Sequence, residues 1–143
     1  MNNKKTVPVC KLEVSIYYKV TCAKHKVDLK CVSVLEAAYY KCLVADNNRV
    51  VFDEYVALAR LKKPSWRPED TFCNFVQLVE SIRTCGFDSG KGDLTVWSGT
   101  NWLKDGHHRA AILSWIDPDY SVEVNELEEN PPTDHNQCSN PCS

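Results

Sequence analysis

Leu94-Thr95-Val96-Trp97-Ser98-Gly99-Thr100-Asn101-Trp102-Leu103-Lys104-Asp105-Gly106-His107-His108-Arg109-Ala110-Ala111-Ile112-Leu113 reads as a strand, a tight turn, a returning strand and a helix. The apolar residues Leu94, Val96 and Leu103 fit strands. Ser98-Gly99-Thr100-Asn101 has the composition of a hairpin turn. Gly106 breaks the second strand, and His107-His108-Arg109 then falls in the first turn of a helix that continues through Ala110 to about Trp115. The first N–H groups of a helix lack intrahelical partners, and the helix dipole is positive there. A glycine lets a ligand approach the backbone, and an arginine can fork two hydrogen bonds onto a phosphate. Residues 105–109 are therefore the candidate anion site of the chain.

Upstream, Pro68-Glu69-Asp70 opens a helix whose apolar period is Phe72, Phe75, Val76, Val79 and Ile82, with Gly86 as its stop. Residues 7–22 alternate loosely and predict a strand or hairpin arm, and residues 27–32 predict a second strand. A helix is expected over 35–43, and another over 53–62 with Asp53 as its N-cap. Downstream, Asp117-Pro118-Asp119 ends the last helix and residues 120–124 form a final strand. The expected domain spans 1–125. From Glu126 to Ser143 the chain turns acidic and then rich in proline, asparagine and serine, which predicts a disordered tail.

The chain of 143 residues suits one core, with 43% hydrophobic and 25% charged residues. No apolar run reaches the roughly 20 residues of a membrane helix, so no membrane partner is expected. Met1-Asn2-Asn3-Lys4-Lys5-Thr6 is followed by no apolar segment, so no secretory leader is expected. The net charge of −2 gives no bulk attraction to nucleic acid. Eight cysteines are present, none with the spacing of a zinc knuckle, so no metal site is assigned to them. Most lie among apolar residues, as Cys73 does, and are expected to be reduced core residues of a cytoplasmic protein. Cys138 and Cys142 lie in the polar tail and are the best candidates for oxidation or metal capture.

The run Glu80-Ser81-Ile82, Cys85-Gly86-Phe87-Asp88, Leu94-Thr95-Val96, Leu103-Lys104-Asp105-Gly106-His107-His108-Arg109-Ala110-Ala111 resembles the ParB/sulfiredoxin superfamily. The shared order is a helix ending at glycine, a hairpin, a glycine–arginine turn and a helix. The resemblance covers about residues 69–124. It implies an α+β domain, a small mixed sheet with helices packed on it. It also implies that Gly106, His107, His108 and Arg109 hold nucleotide phosphates. Some members with this Asp-Gly-His-His-Arg turn phosphorylate small molecules, with the aspartate close to the transferred group. Asp105 is the counterpart. Sulfiredoxins carry a cysteine where this chain has His107, so that cysteine's chemistry is not expected. Partition proteins carry a downstream DNA-binding domain, and none is expected here.

Adjacent helix residues project about 100° apart, so His107 and His108 do not face one point equally. His108 and Arg109, with the Gly106 backbone, are the expected phosphate contacts, leaving Asp105 and His107 as candidates for chemistry. A plainer reading makes Asp105 a helix cap and pairs the basic groups with carboxylates. Lys91 in Ser89-Gly90-Lys91-Gly92, general bases at Glu36 or Glu54, and stacking by Trp66, Trp97 or Trp102 are weaker candidates. The expected function is binding of a nucleoside di- or triphosphate with Mg2+, coupled to phosphoryl transfer to a small molecule or to nucleotide hydrolysis. The alternatives are a nuclease or DNA-binding accessory, which the lack of a basic stripe disfavours, and a non-catalytic interaction module.

Overall fold

Residues 3–19, 27–46, 48–61, 65, 67–86 and 94–131 are described by a computed structural model. Among them the order is β1 (Asn3–Pro8), β2 (Glu13–Lys19), β3 (Val27–Ser33), α1 (Ala38–Val44), α2 (Arg49–Arg60), α3 (Pro68–Cys85), β4 (Thr95–Val96), β5 (Leu103–Asp105), α4 (His107–Ile116) and β6 (Ser121–Glu126). Short 3-10 turns occupy Val9–Lys11 and Val34–Glu36. The fold is α+β, as the sequence predicts.

Val122 and Val124 are buried on β6 while Ser121 and Glu123 are exposed, the period of a strand with one face on a core. Antiparallel pairing to β1 sets Val7 opposite Val122. On its other side β6 runs parallel to β4, which pairs antiparallel with β5, so the sheet order is β1-β6-β4-β5. The hairpin β2-β3 is a second sheet. It is tied to β5's side by a parallel bridge between Glu13 and Trp102 and by Trp102 Nε1 donating to Ser15 Oγ at 2.8 Å.

Helix α4 runs through the core. Ala110, Ala111, Ile112, Leu113 and Ser114 are buried in succession, and a helix buried on most sides must be surrounded. It packs on α1, α3 and both 3-10 turns. Tyr39, Phe52 and Phe75, from α1, α2 and α3, are the largest buried side chains of the helical layer, each worth about 1.5–3 kcal/mol of burial for a phenylalanine-sized group.

Several expectations shift. Within the 7–22 segment the described residues, 7–19, form the end of β1, the 3-10 turn and β2, and β1 reaches back to Asn3. The helix expected over 35–43 begins as a 3-10 turn. Ser33 caps it by accepting from Leu35 N, and Glu36 reaches back to Ser33 N. Helix α2 starts four residues before Asp53, because Asn48 Oδ1 accepts from Val50 N at 3.0 Å and is the true N-cap. Asp53 instead pairs with Arg49 one turn earlier. At the far end Glu126 belongs to β6, and Leu127 N and Ser98 N bond Val96 O and Glu129 O. The structured part therefore runs past the boundary expected at 125. Cys73 is exposed rather than buried, since it lies about 100° around α3 from the face carrying Phe72, Phe75, Val79 and Ile82. Cys42 is buried, Cys10 and Cys31 are half-buried, and Cys85 is exposed. Trp66, Lys91 with the 89–92 turn, Cys22, Cys138 and Cys142 lie outside the described residues. Among the described residues no helix is long and apolar enough to cross a membrane.

Candidate phosphate-binding turn

Gly106 is the N-cap of α4, with φ 98° and ψ 18°. This left-handed conformation is open to glycine and disfavoured for other residues. It turns β5 sharply into the helix, and no side chain caps the helix start. Ala110 N makes the first α-helical bond, to Gly106 O at 2.9 Å. No acidic residue lies in the first turn, so His107, His108 and Arg109 are the side chains at its positive end.

Asp105 is exposed at the end of β5 and pairs across the ladder with Thr95. It does not cap the helix, since Gly106 takes that position. Among the described residues its carboxylate has no hydrogen bond or ion pair. The carboxylate is thus adjacent to the turn and uncommitted.

His108 turns the other way, toward the helical layer. Its ring sits edge-on to Tyr39 at 4.8 Å between centroids and to Phe75 at 5.3 Å. Tyr55 at 6.0 Å and Phe52 at 6.2 Å complete an aromatic surround. Tyr55 Oη lies 3.4 Å from His108 Nε2, a long contact. Removal from water, with His107 and Arg109 alongside, pushes the imidazole pKa down to about 4. His108 is therefore neutral near pH 7. The fixed positive charge of the turn is Arg109. His107 and Arg109 are both half-buried. Tyr39 is 1% exposed, and its hydroxyl has no hydrogen-bond partner among the described residues. Burial and the neighbouring Tyr55 raise its pKa well above the usual phenol value.

The surround of His108 comes from three helices and was not foreseen. Its signal was the aromatic spacing of Tyr39, Phe52, Tyr55 and Phe75, which reads as ordinary core. The secondary candidates disperse. Glu36 is engaged in its capping turn. Glu54 is exposed on α2. Trp102 is buried and bonded to Ser15, and Trp97 lies under the Lys104 ammonium at 5.1 Å. Among the described residues no group of three or more histidine, cysteine or carboxylate side chains could hold a metal ion. Compared with family models, curated proteins and solved structures, the chain matches none.

Proposed function

We propose that the turn at residues 105–109 binds the phosphates of a nucleotide, in a domain of ParB/sulfiredoxin type. The observation that carries this reading is the start of α4, where a left-handed glycine leads into a first turn that has no side-chain cap and holds no acidic residue. Backbone amides and the dipole favour an anion there. Arg109 supplies the charge-assisted fork, and His108 holds the turn against the helical layer. A nucleoside di- or triphosphate brings Mg2+, which keeps several waters and needs only one or two protein carboxylates. Asp105, exposed and uncommitted beside the turn, fits that need. With a hydroxyl-bearing small molecule as acceptor, Asp105 and His107 orient the reacting groups for phosphoryl transfer. With water in its place the reaction is nucleotide hydrolysis. A cytoplasmic setting goes with this reading.

Calorimetry with ATP, ADP and CTP in the presence of Mg2+ tests it. Arg109→Ala is expected to weaken nucleotide binding by about 1.5–3 kcal/mol, the worth of a hydrogen bond to a charged group. Equal affinity in both proteins would move the site elsewhere. Asp105→Asn is expected to abolish single-turnover phosphoryl transfer while leaving nucleotide affinity within about threefold, because positioning and charge dominate this chemistry. Binding without turnover for any acceptor, water included, would leave a nucleotide-binding module. Absence of binding would leave an interaction module.

A further inference from the structure

A group of basic residues that includes none from the turn lies between α2 and the start of α3. Arg49, Asp53 and Arg60 of α2, with Arg67 just before α3 and Glu69 in its first turn, line a cleft of about 470 Å³, within the usual size of small-molecule sites. Two of its arginines meet a carboxylate through their inner nitrogens. Arg49 Nε contacts Asp53 Oδ2 at 3.3 Å, and Arg67 Nε contacts Asp70 Oδ2 at 3.4 Å. Arg49 is also stacked over the Phe72 ring at 5.3 Å. The terminal amino groups of both guanidiniums make no hydrogen bond to described residues. Arg60 has no hydrogen bond or ion pair among the described residues.

We infer that this cleft binds a small polyanion, a molecule carrying two or more phosphate or carboxylate groups. Guanidiniums paired through Nε keep their outer fork free for planar, bidentate recognition of such groups. Three guanidiniums face the cleft against the two carboxylates of Asp53 and Glu69, so it keeps a net positive charge and more than one free fork for an anion.

Titration calorimetry of the full chain in 0.15 M salt, about the physiological level, with tripolyphosphate and with citrate tests the inference. Binding of one or both is expected, and the preferred ion tells phosphate from carboxylate. Arg60→Ala and Arg67→Ala are each expected to weaken binding about tenfold or more, whereas Lys4→Ala, at an exposed lysine of β1, is expected to leave it unchanged. Arg60 is exposed and unbonded, so its variant folds as the parent does. Failure of both ions to bind overturns the inference. Loss in Arg109→Ala with none in the two cleft variants also overturns it, since the ions then occupy the turn. The nucleotide reading is judged separately, by nucleotide affinity in Arg109→Ala.

Discussion

His108 lies in the first turn of α4, yet its ring is turned away from the helix mouth and into a surround of tyrosine and phenylalanine rings. In the unfolded chain an imidazole takes its proton near pH 6.5, and in the fold it does so only near 4. Between those values only the unfolded chain binds the proton, so stability falls as pH drops from about 6.5 to about 4 and this group adds no further loss below that. The loss is on the order of 3 kcal/mol at most, at 1.36 kcal/mol per pKa unit. Urea unfolding between pH 7 and pH 4 measures it. His108→Gln is expected to flatten the slope across that window, and an unchanged slope would assign the acid sensitivity to the carboxylates.

The elements differ in how much of themselves they announce. Helix α3 was legible because Pro68, Glu69 and Asp70 open it, one apolar stripe runs along it, and Gly86 ends it with φ 76°. The strand–glycine–helix passage around Gly106 was legible for the same kind of reason, a local break with a local cause. The start of α2 was not, because Asn48 and Asp53 are both good caps and only the bond to Val50 N decides between them. Strand β1 was not, because Asn3, Lys4 and Lys5 carry no apolar alternation and become a strand through β6, far along the chain. The rings around His108 were illegible as a group, since which faces of α1, α2 and α3 converge is settled by packing and not by any one helix's period. Gly106 supplies the element-scale prediction. Gly106→Ala forces a Cβ into the left-handed region and is expected to destabilise the fold by about 1–2 kcal/mol. Thermal unfolding measures this, and an unchanged midpoint would mean the β5–α4 corner relaxes to another conformation.

At the scale of the molecule, the outer sheet is closed by the chain's last described segment. Glu126 Oε2 accepts from Gly99 N and pairs with Lys5 Nζ at 3.4 Å. The Gly99 hydrogen bond, with Lys5 beside it, holds the Glu126 carboxyl below its usual pKa. Leu127 N and Glu129 O add two backbone bonds to the β4 region, each 2.9 Å long. Truncation after residue 125 removes all of these, and truncation after residue 131 keeps them. At about 1 kcal/mol for each of the two backbone hydrogen bonds, the shorter chain is expected to melt at least about 5 °C below the longer one. Equal midpoints would show the segment to be loosely held.

The pairing of β1 with β6 also bears on how the chain is made. Asn3 finds its partner at Glu126, so the first strand leaves the ribosome long before the strand it needs. At about 5–20 residues per second, roughly ten seconds pass between the two. Through that interval β1 is an open edge, able to pair with the wrong chain. Its lysines guard against this, because charged side chains on a strand edge discourage stray pairing. Lys4 and Lys5, which end beside Glu123 and Glu126, first serve as sentries for a nascent strand.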